Sequence, residues 1–294
     1  MPKTRTKTMQ TFLWLTFGLD ADNQLVAIAD APRGKTDLIC PYCGDRLIAK
    51  KGKVKAHHFA HQTESCRLIE RPEIELPRLP CYDRFNLYLS PKELEQLTRL
   101  WNWGRIGERV PREKGAMKLA LKGFLRRLPS EPPYEFADIG KIPFGALPLK
   151  QFCQVQEPLM EEKLAQLQRK AEREPNDLNT TDLRIYRAQY DRVKAQTIYF
   201  LRIQADGKTL HKIGVTTRSL SQRLAEIRRD LQEHFEKIAI APLGTWEGRG
   251  NVELYFKHRY REWNYAIGSL TEYFLFPDAL AVLADLQAIA SREE

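Results

Sequence analysis

Thr197 to Val215 reads TIYFLRIQADGKTLHKIGV, and this stretch sets the fold of the carboxy-terminal third. Asp206-Gly207 divides it into two runs rich in β-branched, aromatic and leucine residues, which suit half-buried strands. Glycine tolerates the positive φ that a tight hairpin turn demands. With an even-length loop the register follows, because successive side chains alternate between the two faces of a sheet. Tyr199, Leu201 and Ile203 then share a face with Leu210, Lys212 and Gly214. Ile198, Phe200, Arg202 and His211 take the other. Tyr199 and Lys212 are expected as neighbours on one surface, with open space beside them at Gly214.

The chain after the hairpin extends this reading. Thr216-Thr217 leads into a helix, SLSQRLAEIRRDL, whose Leu220, Leu224, Ile227 and Leu231 fall on one stripe. Arg223 sits at the edge of that stripe, within reach of the Tyr199 face. The run KIAIAPL reads as a further strand. A second helix is expected from near Asn251, with Val252, Phe256 and Trp263 inward and Glu253 in its first turn. Pro277 opens a final amphipathic helix carrying Leu280, Leu283 and Leu286.

The order of Ile-Tyr, Lys-Ile-Gly, a helix arginine and a later helix glutamate resembles the GIY-YIG nuclease superfamily. Thr197-Ile198-Tyr199 stands where that family has Gly-Ile-Tyr, and Lys212-Ile213-Gly214 where it has Tyr-Ile-Gly. Arg223 matches its helix arginine and Glu253 its metal-binding glutamate. Thr271-Glu272-Tyr273-Phe274 resembles a Glu-Trp-Phe run of the phage-type branch. The resemblance covers roughly the last third of the chain. It implies a phosphodiester hydrolase whose Glu253 holds Mg²⁺ or Mn²⁺, whose Arg223 clamps the phosphate with a fork that lysine lacks, and whose Tyr199 activates or orients water. Phenol is a weak base at neutral pH unless a cation stabilises phenolate, and Lys212 is such a cation.

Each of these residues also has an ordinary reading. Glu253 is a first-turn glutamate paired with Lys257 at i+4. Arg223 is a partner of Glu226, and Tyr199 a sheet tyrosine at a rim. Glu272 is either a second ligand or a structural hydrogen-bond acceptor. His211 becomes a base only if the hairpin register is odd. His258 lies off the Glu253 face, and Asn264 is a weak polar candidate. Lys212 in place of tyrosine and Thr197 in place of glycine depart from the family pattern, and they point to a weakened enzyme or a binding protein as the alternative.

A net charge of +9 over 294 residues suits a polyanion such as nucleic acid, DNA first. Phe12 to Leu19 is too short an apolar run to span a membrane, and no secretory segment is evident. A soluble, cytoplasmic protein of undetermined oligomeric state is expected. Five cysteines without a secretory segment argue against a disulfide framework. Cys40-Pro-Tyr-Cys43, His58-Phe-Ala-His61 and Cys66 instead offer five candidate zinc ligands, of which a closed site takes four. Strand alternation separates His58 from His61, so either a local turn lets both bind or Cys66 completes the set. A redox pair or unrelated thiols is the competing reading, and it leaves the histidines unexplained.

CPYCGDRLIAKKGKVKAHHFAH resembles the amino-terminal zinc-finger region of CoiA-type competence proteins, and Asn23 to Asp30 looks like the strand that opens it. The resemblance implies a recognition module without that family's catalysis.

Between the ends, Ser90-Pro91-Lys92-Glu93 forms a capping box ahead of Leu94, Leu97, Leu100 and Trp101. Met117 to Leu128 reads as a basic helix, and Pro129 to Leu149 as a linker or irregular loop. Helices follow at Pro158 to Arg173 and Thr181 to Lys194. The expected fold is α+β. A zinc-finger or ribbon β domain spans 1–80, a helical connector 81–195, and a small antiparallel sheet flanked by helices 196–294. The expected function is metal-dependent DNA endonuclease, with the zinc module aiding recognition. A catalytically inactive nuclease-fold binder and an RNA-cleaving enzyme are the alternatives.

Overall fold

The computed structural model describes residues 15–21, 25–52, 56–63, 77–103 and 109–289. The fold is α+β, and every strand pairing among the described residues is antiparallel. The chain divides into two compact units, Met1–Arg78 with Glu162–Arg192, and Leu79–Glu161 with Val193–Glu294. The stretch 81–195 is thus shared between them. Among the described residues no helix is long and apolar enough to cross a membrane.

In the first unit, β1 (Phe17–Leu19), β2 (Leu25–Ala27), β3 (Gly34–Ile39), β4 (Arg46–Lys50) and β5 (His58–His61) form one sheet in the order β2-β1-β3-β4-β5. Leu15, just ahead of β1, bridges to Phe59 of β5, so the far edge returns to the start of the sheet. Alternation buries Leu38, Leu47, Ala49 and Phe59 on one face with Cys40. Leu19 of β1 packs with Ala188.

The second unit begins with α1 (Pro91–Trp103), β6 (Arg109–Val110), α2 (Ala116–Leu121), β7 (Leu125–Arg127), β8 (Tyr134–Phe136) and α3 (Asp138–Lys141). The capping box is formed: Glu93 accepts from the Ser90 amide at 2.9 Å, and the Glu93 amide donates back to Ser90 Oγ. The expected basic helix 117–128 is corrected to α2 alone. Gly123, at φ 82°, closes α2 in a Schellman motif, with Gly123 N–H on the Ala120 carbonyl and Phe124 N–H on that of Leu119. The chain then enters β7. The expected loop 129–149 holds β8, α3 and a 3-10 turn, Ile142–Phe144. Two long helices follow in the chain, α4 (Leu149–Arg173) and α5 (Asp177–Ala195), whose stretch Glu162–Arg192 belongs to the first unit. α4 starts well before Pro158, which lies inside it.

The last part of this unit holds β9 (Thr197–Ala205), β10 (Lys208–Thr216), α6 (Leu220–Gln232), β11 (Ile238–Trp246), α7 (Glu253–Arg259), β12 (Tyr273–Phe274) and α8 (Ala279–Gln287). The sheet order is β11-β9-β10-β12. Asp206 and Gly207 both take positive φ, 46° and 82°, as a type I′ turn requires. The register pairs Gly214 with Tyr199, Lys212 with Leu201 and His211 with Arg202, so the two faces divide as the alternation predicts.

One face carries Tyr199, Leu201, Ile203 and Leu210 against Ile227 and Leu231 of α6. The other carries Ile198, Phe200 and Ile213 against α7, α8 and side chains of α1 and α4. Phe152 and Tyr255 stack there with ring centroids 3.8 Å apart. α8 is capped by Asp278 and turns Val282 and Leu286 inward. Leu280, expected on the buried stripe, is 78% exposed, because the inward stripe is Val282, Leu286 and Ile289 and a residue two positions before Val282 falls on the far side of the helix.

Candidate functional site

The β9–β10 hairpin aims Tyr199 and Lys212 out of the same face, and α6 crosses above them. Ser219 caps α6 by accepting from the Gln222 amide, which fixes its first turn and with it Arg223. From there Arg223 Nε donates to the Tyr199 hydroxyl at 3.1 Å, and its Nη1 reaches Glu226 at 2.8 Å. Tyr199 is fully buried. Its ring lies over Gly214, filling the space that the sequence leaves open there. Burial pushes the phenol above its ordinary range, and the bond from Arg223 works against that rise. The phenol is therefore neutral near pH 7.

Glu253 opens α7 immediately after a 3-10 turn, Gly250–Val252. That turn is tied to α4. Arg249 donates to Glu157 at 2.6 Å, and Asn251 donates to Gln156 at 3.0 Å. Pairing of Lys212 with Tyr273 brings β12 alongside β10, and this sets Glu272 beside Lys212.

The result is a chain of alternating charge. Lys212 Nζ lies 2.8 Å from Glu272, Lys257 Nζ 2.6 Å from Glu272, and Lys257 Nζ 3.0 Å from Glu253. Lys212 Nζ also sits 4.6 Å from the centre of the Tyr273 ring, a cation–π contact. Burial disfavours the charge on Glu272, yet the two ammoniums overcome it and hold the carboxyl down at about 2. Lys212 moves down because burial outweighs Glu272. Lys257 moves up, since its two carboxylates outweigh its burial. Both Glu253 and Glu272 are near enough to act electrostatically on the Tyr199 phenol.

All five residues singled out from this part of the sequence, Tyr199, Lys212, Arg223, Glu253 and Glu272, thus face one locality. The ordinary pairings are present as well, Arg223 with Glu226 and Glu253 with Lys257. His211 is excluded as a base on this face. The register is even, and on the opposite side His211 stacks on Phe200 and lies tilted against Phe276. His258 bonds the Ile142 and Pro143 carbonyls and stacks on Phe85. Asn264 donates to the Thr271 and Tyr273 carbonyls and so ties down the segment before β12.

Lys257 is the residue whose place in this cluster sequence reasoning missed. Its i+4 spacing from Glu253 marks an ordinary helix pair, and nothing local signals that Glu272 comes back to share it.

The first unit has a separate cluster. Cys40, Cys43 and His61 bring their ligand atoms within 4.8 Å of one another. The CxxC segment is wound tightly, with Gly44 N–H on the Cys40 carbonyl at 2.9 Å and Tyr42 N–H directed at Cys40 Sγ at 3.4 Å. His61 is buried, and neither ring nitrogen has a hydrogen-bond partner among the described residues. A buried imidazole left so is costly unless something ligates it. Burial pulls its pKa down against the pull of Asp45, which keeps the neutral form that binds metal. Two thiols and an imidazole can hold a metal such as zinc. His58 is not in this group. It lies three positions from His61 on β5, on the opposite face, and bonds the Ala56 carbonyl at 2.8 Å. Cys66, the remaining candidate, lies outside the described residues.

Residues 23–68 match the family model of the competence protein CoiA, N-terminal domain. The amino-terminal part of the chain is CoiA-like. No curated protein and no solved structure matches the chain. The CoiA-like segment contains Cys40, Cys43, His61 and Cys66, so the fourth candidate ligand falls inside the match. Of the opening strand expected at 23–30, β2 covers Leu25–Ala27, and residues 28–30 turn away instead, with Asp30 N–H on the Ala27 carbonyl at 3.0 Å.

Proposed function

We propose that this chain is a divalent-metal-dependent endonuclease that hydrolyses DNA phosphodiester bonds, with a GIY-YIG-type catalytic domain at its carboxy terminus. The observation that carries the reading is the guanidinium of Arg223 on the Tyr199 hydroxyl, beside the run of ion pairs that leads from Lys212 on the same sheet face through Glu272 and Lys257 to Glu253. Phosphodiester hydrolysis needs these group types at one place. A nucleophilic water must be oriented, negative charge on the phosphoryl oxygens must be offset, and the leaving oxygen must be stabilised.

Arg223 offers its remaining donors to the phosphate. Tyr199, neutral through burial, orients the attacking water by its hydroxyl. Lys212 adds positive charge on the same face. Glu253 is the metal-holding carboxylate. The donor set fits a hard cation such as Mg²⁺ or Mn²⁺, since two carboxylates already share one positively charged group there. Such an ion, when bound, polarises the phosphoryl oxygen and lowers the pKa of its water. The CoiA-like unit, with zinc on Cys40, Cys43 and His61, aids recognition of the nucleic acid, and the net charge of +9 favours its backbone.

The test is a nicking and cleavage assay in Mg²⁺ and in Mn²⁺, comparing wild type with Glu253→Ala. Cleavage lost with Glu253 supports the reading. One observation favours a second reading, a nuclease-fold protein that binds without cutting: the cluster's charges are already paired with one another. Binding with no cleavage in any divalent metal would select that reading. Competition among duplex DNA, single strands and RNA separates a DNA enzyme from an RNA enzyme.

A further inference from the structure

Lys257 does more here than pair with a helix neighbour. Its side chain is three-quarters buried, and its ammonium lies between two carboxylates from separate elements, 3.0 Å from Glu253 and 2.6 Å from Glu272. Glu272 has Lys212 as a second cationic partner at 2.8 Å. Glu253 has no second cation among the described ion pairs. The positive charge next to the Glu253 carboxylate is thus supplied by a side chain tethered one helical turn away.

We propose that Lys257 is a built-in competitor for the divalent ion: its ammonium stands in for the metal at Glu253, and the ion gains that carboxylate by displacing it. This rests on the reading of Glu253 as the metal-holding carboxylate. Two cations beside one carboxylate repel strongly in a partly desolvated site, so the ion and the ammonium do not share Glu253 in their present places. Glu272 is the natural refuge. Lys257 keeps it as a partner when Glu253 is taken, so displacement leaves no buried charge unpaired. The tether thereby keeps the site neutralised when no ion is bound, and it sets the ion concentration at which the site loads.

The experiment measures Mn²⁺ binding to the full, zinc-loaded chain. Free Mn²⁺ is followed by electron paramagnetic resonance at fixed ionic strength, with no nucleic acid present. Four chains are compared: wild type, Lys257→Met, Lys257→Arg and Glu253→Gln. Circular dichroism checks that each is folded. Lys257→Met removes the charge and keeps the bulk, and it is expected to bind Mn²⁺ at least about tenfold more tightly than wild type. Lys257→Arg keeps the charge and is expected to stay within about threefold of wild type. If Lys257→Met does not fold, Lys257→Gln takes its place.

A neutral variant that binds no more tightly than wild type, while Glu253→Gln abolishes binding, overturns the competitor and leaves the metal-holding role of Glu253 standing. Binding by Glu253→Gln that equals that of wild type overturns both.

Discussion

The Tyr199 hydroxyl occupies space that any side chain at residue 214 would need. A Cβ built on Gly214 falls 2.3 Å from that oxygen and 2.6 Å from Tyr199 Cζ. Gly214 is paired directly with Tyr199 across the β9–β10 ladder, so the phenol folds over its own cross-strand neighbour. This position of the ring sets the hydroxyl under Arg223. Gly214→Ala is therefore expected to swing the ring aside and break the bond from Arg223, at a cost of about 1–3 kcal/mol of stability. Cleavage should fall with it. A crystal structure of the variant with Tyr199 unmoved would contradict this account of the glycine.

Arg223→Lys tests the fork. Lysine keeps the charge but cannot donate to Tyr199 and to a phosphate through a planar, fixed set of donors. Cleavage is expected to drop by about 10²–10³, while affinity for duplex DNA changes far less. A gel-shift titration run beside single-turnover cleavage reads both. Equal losses in the two would assign Arg223 to general attraction for the backbone.

The hairpin, both of its faces and the helix arginine were legible in the sequence because each rests on a local rule. Asp206-Gly207 dictates the turn, period-two alternation dictates the faces, and Ser219 begins α6. Ser90 and Glu93 announced α1 in the same way. The errors came where distant contacts or one backbone torsion decide. Gly123 ends α2 although Leu125 and Arg127 prolong a helix-like pattern. Residues 134–136 pair with β6 and β7, and a stretch rich in proline and glycine does not advertise strands. Of the site, Tyr199, Lys212 and Arg223 follow from one hairpin and one helix. Lys257 does not, because its role depends on Glu272, fifteen positions away.

Glu272 makes stability depend on acid. Its carboxyl is held at about 2 in the fold against an ordinary 4.5. Between those values the unfolded chain binds more protons than the folded one, so stability rises with pH there. The contribution is complete above the unfolded value and disappears as pH falls through the folded one. Glu272→Gln is expected to be less stable than wild type at pH 7, with the gap narrowing as the pH drops from 4.5 toward 2. Urea midpoints for the pair at constant ionic strength measure this. A gap that stays constant with pH would mean the Lys212 and Lys257 contacts do not perturb the carboxyl.

The group of Cys40, Cys43 and His61, which could hold a metal, separates the two histidines of β5. His61 shares a face with the sheet core and lies with Cys40 and Cys43, whereas His58 points away and bonds backbone. Their spacing of three cannot place both on one side of a strand. Cys40→Ser, Cys43→Ser and His61→Ala are each expected to lose zinc from the purified chain, and His58→Ala to keep it, as read by elemental analysis. Because metal binding and folding are coupled in a small unit, the three variants that lose zinc should also melt earlier, and a chelator should lower the wild-type melting temperature toward theirs. Cys66→Ser behaves like the ligand variants if its thiol completes a closed site of four. Zinc retained by His61→Ala but lost from His58→Ala would reverse the assignment and require β5 to pair one residue out of register with β4.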